Sequence, residues 1–242
     1  MLNKLEIKLR EKSDVEKAKI LQRFFKTGKG EYGEGDIFLG IVVPEQRKIA
    51  KEFCDLDTSD LQKLLDSNVH EKRLIALLIL IKKYEGAAKQ RDGDVKKEIF
   101  DFYLKNASKS NINNWDLVDL SAPNIVGNYL IDKNKDILYR LAKSSNLWEK
   151  RISVLATFAF IRLGEFKDSL EISKILLGDL HDLIHKSVGW MLREIGKRDK
   201  KILEKFLKEN YRQIPRTMLR YAIEKFPETE RKKWLNRNSL HF

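Results

Sequence analysis

The 242-residue chain is poor in the residues that cross-link, bend and anchor a fold. It has one cysteine, Cys54, which excludes an internal disulfide and a cysteine-cluster metal site and fits a reducing compartment. With four prolines and 12 glycines it has too few turn formers for a many-stranded sandwich or barrel, so helices are favoured. The longest apolar run, 74–81, falls far short of the ~20 residues a membrane span needs. The first residues, MLNKLEIKLREK, mix charge with apolar side chains and have no cleavage site of the secretory kind. A cytoplasmic protein without membrane attachment is expected. Acidic residues are also in deficit: 36 Asp and Glu face 48 Lys and Arg, a formal net charge of +12. What is present is ample core material, 42% hydrophobic and 10% aromatic, which excludes intrinsic disorder. Gathered on one face, the positive charge implies a polyanionic partner; scattered, it implies only solubility.

Apolar positions recur at helical spacing almost throughout, separated by short polar breaks. The pattern predicts helices over 2–12, 14–27, 44–54, 58–66, 69–85, 93–107, 113–129, 133–143, 147–163, 167–178, 181–196, 199–209, 215–226 and 228–236. Ser13 before DVEKA, the Asp57-Thr58-Ser59 run and Pro44 followed by Glu45 read as helix starts.

The chain also resembles itself. HEKRLIALLIL (70–80) pairs with WEKRISVLATF (148–158), and HKSVGWMLREI (185–195) and PRTMLRYAIEK (215–225) follow the pattern more loosely. Register through Arg73, Arg151, Lys186 and Arg220 gives a period of roughly 35 to 40 residues, the range of helical-pair solenoids. An all-α fold is expected: a curved solenoid of antiparallel helix pairs, forming one domain over 1–242. It opens with helices over 1–30, carries a mobile glycine-rich loop at 28–36 and ends in a frayed tail at 236–242. A basic residue near the start of each inner helix would lay a positive stripe that follows a duplex. The same cations also suit ordinary solvated helix faces.

One position breaks the basic register. NNWDLVDLSAP (113–123) carries Asp119 where its neighbours carry Arg or Lys, with Trp115 four residues earlier on the same helical face. A carboxylate repels phosphate but attracts a positive centre, and an exposed indole beside it can hold a cationic ring. Spacing alone leaves two readings open, since Trp115 also suits a core and Asp119 a helix cap or ion pair.

The segments FLGIVVPEQRKIA (38–50), NWDLVD (114–119), NLWEKR (146–151) and VGWMLRE (188–194) resemble those of AlkD-type DNA alkylation-repair glycosylases, which are built from HEAT-like repeats. The resemblance runs from about residue 20 to about residue 225. It implies Asp119 as the catalytic aspartate, Trp115 and Trp190 as the lesion-side tryptophans and Arg151 as a phosphate-holding arginine; Lys186, Arg73 and Arg220 join it from the register. Phe24 stands where the family has a tyrosine, keeping the ring and losing the hydroxyl, and Tyr32 in the longer glycine-rich stretch is a possible substitute. The implied reaction is hydrolysis of the N-glycosidic bond of cationic N3- or N7-alkylated purines in double-stranded DNA. It needs no cofactor or metal and no amine nucleophile, and a monomer is expected; many glycosylases extrude the base into a pocket, whereas the resemblance is to a family with members that act without one. The competing reading is a non-catalytic helical-repeat scaffold for DNA or a protein. An RNA-binding solenoid predicts a repeated base-reading pair that the sequence lacks.

Other features read as structural. His181 and His185 stand at i, i+4 without an obvious third metal ligand, the glycines at 28, 30, 33 and 35 match no phosphate-binding motif, and Cys54 reads as a small core residue. Trp148 is expected to pack between repeats and Trp234 to anchor the last helix.

Overall fold

The structure is a computed structural model that describes residues 1–236, so all of the expected frayed tail beyond Asn236 lies outside the described residues. Among the described residues every regular element is helical, apart from an isolated parallel bridge between Ile37 and Val69. The chain forms two compact units, Met1–Ser121 and Ala122–Phe242.

The first unit contains α1 (Leu2–Lys12), α2 (Val15–Phe24), α3 (Val43–Glu52), α4 (Thr58–Leu65), α5 (His70–Gln90), α6 (Gly93–Ser108) and α7 (Trp115–Ser121). Its centre is α5, against which α3, α4, α6 and α7 all pack. The unbroken apolar run explains this position: residues 74–80 are all buried, so the helix is apolar all round and must be surrounded. Gly86 suggests a stop near residue 85, yet α5 continues to Gln90, where Arg91 turns into the left-handed region. A single glycine costs a helix about 1 kcal/mol, less than burial of Ala87 and the surrounding helix bonds return.

The second unit opens with a π-helical turn, Pro123–Gly127, followed by α8 (Asn128–Leu130), α9 (Asp136–Ala142), α10 (Leu147–Ala156), α11 (Phe158–Arg162), α12 (Lys167–Ile175), α13 (Asp182–Gly196), α14 (Lys200–Asn210), α15 (Arg216–Ala222) and α16 (Glu228–Leu235). Helices α10, α13 and α15 pack side by side in series, while α9, α12 and α14 cover them. This alternation is the helix-pair pattern expected from the repeats. Trp234 is buried and anchors α16, its carbonyl accepting the Tyr211 hydroxyl at 2.5 Å.

Two long predicted helices are split for identifiable reasons. The segment 113–129 ends as α-helix at Ser121, because Pro123 has no N–H to donate. The segment 147–163 breaks at Thr157, whose hydroxyl bonds back to the Val154 carbonyl at 2.6 Å. Asp14, rather than Ser13, caps α2 by accepting the Lys17 N–H at 3.0 Å; Ser13 closes α1 instead by donating to the Arg10 carbonyl. Cys54 is half-buried rather than part of the core. The glycine-rich stretch is built of turns, with the Gly28 and Gly30 N–H groups donating to Glu31 and Glu34.

The α13–α15 crossing depends on Gly189, where an added Cβ would stand 2.5 Å from Tyr221 Cβ and 2.6 Å from the Met218 carbonyl oxygen. Gly189→Ala is therefore expected to force the helices apart and cost about 1–3 kcal/mol. Gly86 faces open space within 4 Å, so Gly86→Ala should stabilise by about 0.5–1 kcal/mol. Thermal melts of both variants check the opposite signs.

Candidate active site

The site in the first unit is built from the start of α5 outward. Glu71 is wholly buried, and its carboxylate accepts the backbone N–H groups of Leu39, Gly40 and Ile41 at 2.8–3.2 Å. This fixes the FLGI segment on α5, a favourable use of a buried charge because every contact is charge-assisted. The bridge at Ile37 adds backbone bonds to Asn68 and from His70, and Asp14 N–H donates to the Leu39 carbonyl, so the start of α2 is held by the same segment. Gly40 is required there. Its φ is +84° and an added Cβ would lie 2.1 Å from the Asp14 carbonyl oxygen.

One residue before Glu71, His70 bridges two carboxylates, with Nδ1 3.2 Å from Asp36 and Nε2 2.8 Å from Asp116. Asp36 also pairs with Arg73 at 2.6 Å and accepts from Asn114 Nδ2 at 3.3 Å. Burial pulls the His70 pKa down, but the charge of Asp116 and the hydrogen bonds from both carboxylates outweigh it, raising it from 6.5 to about 9. Burial acts against the charge of Asp36 too, yet its contacts with His70 and Arg73 hold its carboxyl below the usual range.

This network sets the start of α7. Asn114 Oδ1 accepts the Trp115 N–H at 2.8 Å and Asp116 Oδ1 accepts the Leu117 N–H at 2.8 Å, two of the donors a helix start leaves open. At the other end of α7, Ser121 shares a 2.9 Å hydrogen bond with the buried Tyr103 hydroxyl. Burial pushes the Tyr103 phenol up and the Asp119 charge adds to this, so the phenol stays neutral beneath the helix. Asp119 and Trp115 are both half-buried, one helical turn apart.

The aromatic rings form a column. Trp115 stacks on Phe25 at 5.2 Å, Phe25 on Phe38 at 4.9 Å, and Phe38 on His70 at 4.5 Å. Phe24 meets Trp115 edge to face at 6.0 Å and is 61% exposed. An aromatic pair at the solvent-facing end of a rigid stack, with a carboxylate one turn away, is chemically suited to an electron-poor ring or a cationic centre.

The predicted cations divide sharply. Arg73 does not fit the phosphate stripe: it is 3% exposed, paired with Asp36 and bonded to Asn113. Its charge neutralises a buried carboxylate, which a helix register has no means of revealing. In the second unit Arg151 is 4% exposed and donates to the Leu183 carbonyl at 2.5 Å, a fixed group rather than a mobile surface cation. Lys186 is half-exposed and pairs with Asp182 at 2.6 Å, and Arg220 is exposed on α15. Trp190 is half-buried, its ring 6.1 Å from Phe158, over which Arg162 sits at 4.2 Å.

His181 and His185 serve the chain itself. His181 Nδ1 accepts the Leu183 N–H at 3.1 Å, and His185 Nε2 lies 2.5 Å from the Asp179 carbonyl oxygen. Sequence reasoning assigned no role to Asp36, His70, Glu71 or Asp116. The signal was nonetheless there, since all four lie within or beside the FLGI, HEKR and NWDLVD segments.

The raised His70 pKa gives stability a direction with pH. Folding favours the protonated ring, so its contribution is complete below about pH 6.5, declines as pH rises, and is gone above about 9. The loss is expected to reach about 3 kcal/mol, and His70→Gln should remove this alkaline slope. Urea midpoints from pH 6 to pH 10 measure it.

Comparison with known proteins gives the family and the fold. A family model described as DNA alkylation repair enzyme matches residues 5–226. Among solved structures the fold is similar to a predicted DNA alkylation repair enzyme from Enterococcus faecalis, with TM-score 0.66, 14% identity, and coverage of 90% of this chain and 98% of that one. The smu.31 protein from Streptococcus mutans UA159 aligns with TM-score 0.46 at 21% identity, over 81% of this chain and 92% of that one. No significant match was found among curated proteins.

Proposed function

This chain belongs to the family of DNA alkylation repair enzymes, and from that membership we propose that it is a monofunctional glycosylase excising cationic N3- or N7-alkylated purines from duplex DNA. The observation that carries the reading is the pairing of Trp115 with Asp119 on α7, beside the exposed Phe24 ring. The substrate chemistry matches. Alkylation at N3 or N7 gives the base a formal positive charge, so it leaves as a neutral molecule when the bond to C1′ breaks, and no protein acid is required. The positive charge then passes to the sugar. Asp119 stabilises the oxocarbenium-like centre and orients the water that attacks C1′; the water's proton is released and an abasic sugar remains. Trp115 and Phe24 offer ring faces and edges to the lesion nucleotide. An amine nucleophile is unnecessary, so the strand is left intact.

In this reading the second unit contributes to DNA binding. Lys186 and Arg220 supply phosphate contacts, while the buried Arg151, bonded to the Leu183 carbonyl, holds α10 against α13 behind them. The solenoid is of the HEAT-like type, and the open aromatic ledge favours action on the lesion without extrusion into a pocket.

Asp119→Asn preserves size and most hydrogen bonding while removing the charge. It should lower single-turnover release of 7-methylguanine by roughly 10²- to 10³-fold, while binding to undamaged duplex is unchanged or slightly tighter. Equal rates for variant and wild type would move the assignment to the scaffold reading.

The exposed cations supply a second test. Lys186→Ala and Arg220→Ala should each reduce the slope of log affinity against log salt by about 1, whereas Arg73→Ala should act on stability instead. Filter binding at several salt concentrations, beside a melt of each variant, separates the two classes.

A further inference from the structure

A buried histidine with a carboxylate on each ring nitrogen holds its proton for a structural purpose. A neutral imidazole donates through one nitrogen only, so one of the two contacts would set a lone pair against a carboxylate. The contacts of 3.2 Å to Asp36 and 2.8 Å to Asp116, at a side chain 2% exposed, are those of an imidazolium. The two carboxylates lie on different elements. Asp36 ends the glycine-rich loop, and Asp116 is the second residue of α7, next to Trp115 and three before Asp119. A second link runs through the rings, from His70 by way of Phe38 and Phe25 to Trp115. The charged groups acting on His70 are Asp116 of α7, Asp36 of the loop and Arg73 of α5 itself. Glu71 is turned instead toward the backbone of 39–41, and Tyr103 of α6 is bonded to Ser121 at the far end of α7.

We infer that His70 is the positioning residue of this site: clamped between Asp36 and Asp116, it sets the first turn of α7 and thereby the Trp115 ring and the Asp119 carboxylate. Its effect on excision rests on the glycosylase reading, but its effect on Trp115 does not. His70 touches neither lesion nor reacting atoms. Loss of its proton leaves one N–H for two carboxylates, so one of the two contacts becomes a repulsion and the clamp that joins the loop, α5 and α7 is broken.

The test follows Trp115 emission in the full chain without DNA, taken as the difference between wild type and Trp115→Phe, from pH 6 to pH 10. The wild type should show a one-proton transition near pH 9, absent from His70→Gln. Asp116→Asn keeps an acceptor for the Leu117 N–H but removes the charge, so it should move the midpoint down by about one unit or more. At pH 7.5, His70→Gln should release 7-methylguanine about tenfold or more slowly, with affinity for undamaged duplex changed less than about twofold.

A flat wild-type titration, the same transition in His70→Gln, or an unmoved midpoint in Asp116→Asn overturns the inference. Should His70→Gln fail to fold, the Asp116→Asn midpoint decides alone. If the Trp115 titration behaves as expected while the wild type releases no base, the glycosylase reading falls and the positioning role stands.

Discussion

The first unit hangs on the N-terminal turn of α5, where two adjacent buried side chains are matched to different parts of the chain. Glu71 draws in three backbone N–H groups of the FLGI segment, and His70 joins the glycine-rich loop to α7 through Asp36 and Asp116. Charges this deep are tolerable only when every one has a partner. Removing one member leaves another charge uncompensated, so the cluster is held as a whole or not at all. That requirement places α7, and the geometry of Trp115 and Asp119 follows from it.

The aromatic column serves the same end by different physics. Phe38, Phe25 and Trp115 stack outward from His70, so the indole is supported from behind by a rigid ring rather than by flexible aliphatic chains. Phe24 extends the column into solvent. A ledge so supported loses little conformational freedom when a ring is laid against it.

The basic residues have separate jobs that the net charge of +12 does not distinguish. Arg73 and Arg151 are buried and bonded to the protein, whereas Lys186 and Arg220 meet solvent. Buried arginines hold elements in place; exposed cations attract a phosphate backbone and respond to salt. A repeat register groups all four because they occupy like positions on their helices, but position along a helix does not say whether a carboxylate or carbonyl waits opposite.

The order of the helices, the all-α class, the alternation of helices in the second unit and the place of Trp115 and Asp119 one turn apart on α7 are local properties, carried by apolar spacing and by residues four apart on one helix. They were legible in the sequence for that reason. The split helices at Pro123 and Thr157 were less so, because each depends on whether tertiary packing can carry a helix through a weak point. Of the His70 network only the segments that carry it stood out in the sequence; the contacts between them did not. Asp36, His70 and Asp116 are 34 and 46 residues apart in the chain, and the meaning of each, ion-pair partner or solvated surface group, exists only once the fold removes water and brings them within hydrogen-bonding distance.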